Sequence, residues 1–148
     1  MVKAQGSIII NRSIDDVFAF VSNGANGTAW LAALESARSE PDGPTQVGTR
    51  IYEERLYGRQ RIHQVAEVVE VADYRFRKRV VGGPMDVEDH VVCRPVDGAA
   101  HTEVTQYLTA TPKGVVVLAT PFLAPQLRRD IKRSLEQLKR VLESGNHG

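Results

Sequence analysis

The sequence predicts an α+β domain in which an antiparallel sheet packs against one long helix at the C-terminal end of the chain. In the last third, apolar residues recur at steps of three and four, the spacing of one buried helix face. The middle of the chain instead reads as strands joined by short turns. No second helix of comparable length is predicted, so the apolar helix face should lie against the sheet. Its residues are Leu123, Leu127, Ile131, Leu135, Leu138 and Leu142.

The N-terminal quarter predicts one strand and two short helices. The run Ser7–Asn11 is short and β-branched, which favours a strand. Ser13 is a good N-cap, and the acidic residues that follow it suit the first turn of a helix that ends near Ser22–Gly24. A second short helix is predicted from Asn26 to Leu34, with Trp30 at its centre. Helices this short are stable only when they pack on the sheet.

The turn at 41–44 begins a long stretch of strands. The breaks between these strands are too short for a parallel crossover, which needs about a dozen residues, so the connections should be antiparallel hairpins. The five predicted strands are Gly48–Tyr57, Ile62–Val71, Tyr74–Val81, Met85–Pro95 and His101–Thr111.

Alternation along the last three strands sorts their side chains into two faces. The apolar face carries three polar residues inward, Lys78, Asp89 and Gln106. An inward lysine implies an ion pair or a wet cavity, because burying an unpaired charge is costly. The three residues could therefore orient one end of an apolar ligand; alternatively they lie at strand ends, or a register slip turns them outward. The strands Gly48–Tyr57 and Ile62–Val71 do not sort cleanly, and a bulge would explain this.

Composition restricts the classes of partner. The 148 residues fit a single domain over residues 1–148, and nineteen basic against eighteen acidic side chains give a net charge of +1. This balance argues against nucleic acid as the main partner. The single cysteine, Cys93, excludes an intrachain disulfide. Neither a signal peptide nor a membrane span is evident, so we expect a cytoplasmic protein with no integral membrane segment.

A search for catalytic chemistry gives only three candidate acid/base residues: Glu54, Lys78 and Asp89. If Glu54 points inward with Tyr52 and Leu56, its carboxylate would have a raised pKa and could act as a base. Cross-strand charge pairing on an exposed strand explains the charged run 53–55 equally well. The histidines lack the spacing of a metal-ligand pair, and no dinucleotide or phosphate loop is present. We therefore expect no metal and no cofactor.

Several local segments follow one another along nearly the whole chain: Ser7–Asn11, Ser13–Val21, Trp30, Val47–Thr49, Tyr74–Phe76 leading into Gly82–Pro84, the hairpin Pro95–Val104 and the closing helix. In this order they resemble the START-like, birch-pollen-allergen-like superfamily (SRPBCC), in particular its polyketide cyclase/dehydrase branch. The resemblance implies a helix-grip fold: a seven-stranded antiparallel sheet wrapped around a long C-terminal helix, with two short helices after strand 1, enclosing a cavity.

The resemblance also implies where a ligand would lie, because cavity walls in this superfamily come from a tryptophan, inward strand residues and the first turns of the last helix. Trp30 could equally be plain core. The expected ligand-binding residues are Trp30, Tyr52, Phe76, Lys78, Asp89, Val91, Gln106, Leu108, Leu118 and Phe122.

Three functions remain open. The first is a carrier or sensor, monomeric or homodimeric, that binds a small hydrophobic molecule of lipid, polyketide or isoprenoid type without changing it. The second is a cyclase or dehydratase that uses Glu54, Lys78 or Asp89 as acid or base. The third is a protein-interaction module whose core is filled by Trp30 and other large side chains. The fold alone does not choose among them.

Overall fold

The computed structural model describes residues 1–57, 59–80, 82–98 and 100–144. Within them, seven strands and three α-helices follow one another in the predicted α+β order. Two 3₁₀ segments, Gly24–Asn26 and Gly114–Ala119, precede the second and third helices. The elements are β1 (Val2–Ile10), α1 (Ile14–Val21), α2 (Gly27–Trp30), β2 (Leu34–Glu40), β3 (Arg50–Tyr57), β4 (Gln60–Ala72), β5 (Arg75–Val80), β6 (Met85–Val96), β7 (His101–Pro112) and α3 (Thr120–Glu143).

The strands form one antiparallel sheet in the order β1-β7-β6-β5-β4-β3-β2. Strands β2 to β7 form a meander, because each pairs with the next strand along the chain. The long β1 closes the order by pairing with β7 over its whole length, from Val2 opposite Ala110 to Ile10 opposite Thr102. The seven-stranded helix-grip arrangement that the resemblance implied is confirmed.

The long helix α3 buries the face that its sequence pattern predicts. Leu127, Ile131, Leu135, Leu138 and Leu142 are all buried, while Leu123 is half-buried. A polar residue, Ser134, shares the buried face, and its Oγ accepts a hydrogen bond from the backbone N–H of Ala32 at 2.8 Å. This bond ties the middle of α3 to the segment that follows α2.

Helix α3 lies close to β1 because β1 has a glycine at the contact. A Cβ atom on Gly6 would lie only 2.8 Å from Cγ2 of Ile131, a distance that real Cβ atoms essentially never show. Gly6 is paired with Gln106 on β7, so the closest approach of helix and sheet occurs beside that glutamine. The opposite edge of the sheet, at β2, contacts α2 instead.

The N-terminal quarter differs from the prediction in three places, the first being that β1 begins at Val2 rather than at Ser7. Helix α1 begins after Ser13 as expected, and the Ser13 side chain accepts a hydrogen bond from the backbone N–H of Asp16. The prediction of a helix over residues 26–34 is wrong except for the four residues of α2. From Leu34 the chain is strand β2, which was not predicted because its residues show no clear alternation of apolar and polar side chains.

The middle strands begin and end within a few residues of their predicted limits. Val81, the end of the predicted strand Tyr74–Val81, lies outside the described residues. A bulge between Val68 and Glu70 shifts the pairing of β4 with β5 by one residue. The inward set Ile62, Gln64, Ala66 and Val68 is therefore followed by Val71 rather than Glu70. The shift explains why alternation failed to sort this strand.

The apolar core is divided into two clusters. The larger one joins α3 and the N-terminal helices to β1, β7 and part of β6, and it includes Trp30 and Val91. The smaller one lies on β3, β4 and β5 and consists of Ile51, Ala66, Val68, Phe76 and Val80.

We predict that Gly6→Ala destabilises the protein, because the added methyl group must displace Ile131 or push α3 away from β1. Overpacking of this kind typically costs about 1–3 kcal/mol. The midpoint of urea unfolding measures the change. Gly83→Ala is the matched control, because a Cβ there would have only the carbonyl oxygen of Met85 nearby, at 3.9 Å. Equal stability of the two variants would contradict the close helix contact.

Candidate functional site

A buried ion pair lies on the inner face of the sheet. The Nζ of Lys78 on β5 donates a hydrogen bond to Oε2 of Glu53 on β3 at 2.7 Å, so the pair spans the intervening strand β4. The two side chains are only 7% and 1% exposed. Gln64 on β4 adds a hydrogen bond from Nε2 to the other carboxylate oxygen of Glu53, at 2.8 Å. Both carboxylate oxygens therefore have a partner within the protein, as a buried charge requires.

These contacts keep Glu53 ionised. Burial is the largest single influence on Glu53 and opposes its ionisation. The charge and hydrogen bond of Lys78, the hydrogen bond of Gln64 and the charge of Arg55 together outweigh burial, and they hold the pKa of Glu53 below its ordinary value.

The neighbouring acid, Asp89 on β6, has the opposite character. It is buried and lies directly across from Lys78 in the β5–β6 pairing. Burial raises the pKa of Asp89, and the charge of Glu53 raises it further. The charges of Lys78 and Arg55 and a hydrogen bond from Gln106 only partly offset this. That hydrogen bond runs from Nε2 of Gln106 on β7 to Oδ1 of Asp89 at 3.1 Å.

Arg55 extends the polar cluster from the sheet toward α3. It shares the inward face of β3 with Glu53, and its Nη1 donates a hydrogen bond to the carbonyl of Ala32 at 3.4 Å. Its charge acts on Glu53, Asp89 and Asp130, the last of which lies on α3. Burial raises the pKa of Asp130 more than a hydrogen bond from Gln126 and the nearby arginines lower it. The charge of the Arg55 guanidinium therefore acts on acids of both the sheet and α3.

Two polar atoms of the cluster are buried without a hydrogen-bond partner within the described part of the protein. They are Nε of Arg55, a donor, and Oε1 of Gln106, an acceptor. A buried polar atom without a partner costs about 1–3 kcal/mol, so such atoms are rare in folded proteins. A bound acceptor would satisfy Nε of Arg55, and a bound donor would satisfy Oε1 of Gln106.

The structure brings six of the expected ligand-binding residues to the inner face near this cluster. Lys78, Asp89 and Gln106 are buried as predicted, together with the apolar side chains of Phe76 and Val91. Leu108, opposite Asp89, shares that face and is half-buried.

Trp30, Leu118 and Phe122 lie elsewhere. Trp30 is buried in the larger apolar cluster and borders a surface hollow of about 280 Å³ beside α3. The expected position of Leu118 and Phe122 inside the fold is not observed, because their side chains are 82% and 72% exposed.

The hypothesis that Glu54 and Tyr52 point inward is wrong. Burial shows that Ile51, Glu53 and Arg55 form the inward face of β3, so the residues between them point outward. Tyr52 stacks under the guanidinium of Arg38, with 4.8 Å from Cζ to the ring centroid. Arg38, Tyr52 and Glu54 help to line an open hollow of about 470 Å³ on β2, β3 and β4, and Glu53 and Gln64 also border it.

Glu53 and Arg55 are the site residues that sequence reasoning missed. The prediction that Lys78 points inward already required an acidic partner. The charged run 53–55 contains two acids, and the sequence of β3 alone does not show which of them points inward. The pairing of β3 with β4, which places Glu53 opposite Gln64, supplies the missing information.

No group of three or more histidine, cysteine or acidic residues in the described part of the chain is arranged to hold a metal ion. Cys93 is a buried free thiol, and burial raises its pKa to about 12, so it is a poor nucleophile.

None of the described helices combines the length and apolar character needed to cross a bilayer.

Comparison with protein families gives one match over almost the whole chain. The family described as polyketide cyclase / dehydrase and lipid transport matches residues 1–143. No match to a curated protein was found.

Solved structures resemble this fold at low sequence identity. TTHA0849 from Thermus thermophilus is 16% identical, with a TM-score of 0.80 over 97% of this chain and 99% of that one. The di-domain ARO/CYC BexL from the BE-7585A biosynthetic pathway is also 16% identical, with a TM-score of 0.77 over 97% of this chain and 47% of that one. The di-domain ARO/CYC StfQ from the steffimycin biosynthetic pathway is 12% identical, with a TM-score of 0.76 over 97% and 51%.

We predict opposite effects on stability for the amides of the two buried acids. Glu53→Gln leaves Lys78 buried without its counter-charge, which should cost about 3 kcal/mol near neutral pH. Asp89→Asn removes a carboxylate that burial disfavours, which should raise the free energy of unfolding by about 1 kcal/mol. Urea unfolding as a function of pH measures both.

The pH dependence follows from the directions of the pKa shifts. The lowered pKa of Glu53 contributes stability above its ordinary pKa, and this is lost as the pH falls through the folded value. The raised pKa of Asp89 adds no penalty below its ordinary value of 3.8, and the penalty grows above that value until the pH exceeds the folded pKa. The Asp89→Asn difference should therefore shrink as the pH falls toward about 4, whereas the Glu53→Gln difference should shrink only below the ordinary pKa of 4.5. A destabilised Asp89→Asn variant at neutral pH would contradict this account.

Proposed function

The chain belongs to the polyketide cyclase/dehydrase and lipid transport family, and from this premise we propose that it binds a small, largely apolar molecule bearing oxygen substituents, as a carrier or sensor. The ligand would occupy the space between α3 and the inner face of the sheet. A cytoplasmic protein that works as a monomer or homodimer fits this proposal, and its one cysteine is a free thiol.

The observation that carries the proposal is the buried polar cluster on the inner face of the sheet. A fold that needed only stability would place apolar side chains there, since replacing buried ion pairs by apolar residues is often neutral or stabilising. The chain instead keeps Glu53, Lys78, Asp89 and Arg55 inside. Binding pockets typically combine apolar walls with a few polar groups that set the orientation of the ligand.

The unpaired atoms define the polar part of the ligand. Nε of Arg55 needs an acceptor, such as a carbonyl or ether oxygen, and Oε1 of Gln106 needs a donor, such as a hydroxyl group. Phe76, Val91 and Leu108 supply apolar surface beside them. These requirements favour a hydroxylated ring or ketone over a plain hydrocarbon chain.

A second candidate function, catalysis, is favoured by Asp89. A buried carboxyl with a raised pKa, next to a charged lysine, is the type of group that donates or removes a proton. In this function Asp89 would move the proton, and Lys78 and Arg55 would stabilise negative charge on a substrate oxygen. The similar folds of the two di-domain ARO/CYC proteins support keeping this candidate.

The interaction-module alternative receives less support. It required a core filled by Trp30, Phe76, Phe122 and Met85. Trp30, Phe76 and Met85 are buried as it requires, whereas Phe122 is exposed and fills nothing.

Native mass spectrometry of the protein purified from its own host tests ligand binding. We expect a reproducible apolar molecule with oxygen substituents at near-stoichiometric occupancy, which extraction then identifies. Gln106→Leu should lower the affinity for the extracted molecule about tenfold, because one hydrogen bond to a buried group is lost. Thr109→Val, on the outward face of the same strand, should leave the affinity unchanged. An empty protein that also fails to bind the dye anilinonaphthalene sulfonate would overturn the proposal.

Asp89→Asn separates the carrier from the enzyme. If the protein is a carrier, the wild type returns the extracted molecule unchanged after long incubation, and the variant still binds it. If it is an enzyme, the wild type forms a product that mass spectrometry detects, and the variant loses at least about a hundredfold in rate. Glu54→Gln is the matched control, because that carboxylate points outward. Product formation that survives in Asp89→Asn would exclude Asp89 as the proton-transfer group.

A further inference from the structure

Four large apolar side chains are exposed together where the chain passes from the sheet into α3. On the 3₁₀ segment Gly114–Ala119, Val115 is 83% exposed, Val117 50% and Leu118 82%; Phe122, in the first turn of α3, is 72% exposed. We call these four residues the apolar tip. The other exposed large apolar residues in the described part of the chain are Met1, near the end of β7, and five residues elsewhere, Ile9, Val47, Val65, Tyr74 and Tyr107. An exposed apolar group of this size usually marks a contact surface.

The apolar tip is held in place by the fold. The backbone N–H of Lys113 donates to the carbonyl of Pro84 at 3.1 Å, and its Nζ forms an ion pair with Asp86 at 2.9 Å. The Thr120 hydroxyl donates to the carbonyl of Val117 at 2.6 Å. Val116 and Leu123, within and after the same segment, pack against the larger apolar cluster. The exposed side chains therefore project from an anchored turn.

Cations follow the apolar tip along α3. Arg128, Arg129, Lys132 and Arg133 are exposed, and none of them forms an ion pair with a described acid. Arg129 and Arg133 lie seven and eleven residues after Phe122, which places all three on the same side of the helix. The helix thus presents an apolar end followed by free positive charge.

We propose that this end of α3 docks the protein on the surface of a membrane that contains anionic lipid. The apolar tip would enter the boundary between head groups and acyl chains, and Arg129 and Arg133 would meet lipid phosphates. Apolar residues beside a basic helix face are the features that bind helices to such interfaces. The proposal goes beyond ligand binding and does not depend on what the interior holds.

Size and charge favour a membrane over a protein partner. A stable protein interface typically uses about 20–30 residues on each side, whereas the apolar tip has four. The tip is also a projecting turn, a shape that enters a soft interface without a matching groove. Each basic residue close to an anionic surface strengthens attachment, and salt weakens it.

Sedimentation with vesicles tests the proposal, using phosphatidylcholine alone or phosphatidylcholine with about 30 mol % phosphatidylglycerol. We expect the wild type to sediment with the anionic vesicles, more weakly with the neutral ones, and less as salt is added. Leu118→Ser with Phe122→Ser should reduce the affinity for anionic vesicles about tenfold or more. The matched control, Ile9→Ser with Val47→Ser, removes two exposed apolar residues outside the tip and should bind like the wild type.

The basic residues are tested separately. Arg129→Gln with Arg133→Gln should weaken binding to anionic vesicles about tenfold or more and reduce its salt dependence. Arg75→Gln with Arg79→Gln, on the outward face of β5, removes the same charge elsewhere and should have a smaller effect. The urea midpoint of each variant confirms that it is folded.

Three results would overturn the proposal. The wild type could fail to sediment with anionic vesicles. The tip variant could bind them as well as its control. Light scattering could reveal a dimer that the tip variant no longer forms, which would make the apolar tip a contact between two copies of the chain. None of these results would bear on the interior ligand, because the vesicle experiments do not require it.

Discussion

The ion pair between Glu53 and Lys78 is the interaction on which the interior of this protein depends. It joins β3 to β5 across β4, where two apolar residues of similar volume would have kept the core continuous. Once the pair is present, Gln64 must satisfy the second carboxylate oxygen, so a polar row crosses three strands of the inner face. The pair alone is weak evidence for stability, since removal of two charges from water is costly.

The same ion pair gives the two neighbouring acids different chemical states. Lys78 is committed to Glu53 through a short hydrogen bond, and it acts on Asp89 only through its charge. Asp89 therefore remains the carboxyl that burial pushes toward its neutral form. Two acids with pKa shifts of opposite sign, one beside the other, are the pattern of a site that handles charge or protons. Arg55 connects this pattern to α3 through Ala32 and Asp130.

Much of the fold could be predicted from local signals. The buried face of α3, the N-cap at Ser13 and the antiparallel hairpins each depend on residues close together in the chain. The inward position of Lys78, Asp89 and Gln106 also followed, because their strands alternate without interruption. Glu53 and Arg55 could not be assigned, because the face of β3 is set by its pairing with β4, whose own alternation is shifted by the bulge after Val68. Strand β2 was not predicted either, because its residues are mostly exposed and show little alternation of apolar and polar side chains.

The contact between Gly6 and Ile131 limits how this fold can adapt to ligands of different size. Helix and sheet already touch at β1, so the helix cannot move closer there, and a larger residue at Gly6 would lift it along the whole edge. The position of α3 is therefore fixed at the β1 edge of the sheet. Any change in the depth of the interior must therefore come from the side chains of β3 to β6, far from that edge. In this chain those strands carry Ala66, Phe76 and Val91, and their sizes would set the depth available to the proposed ligand.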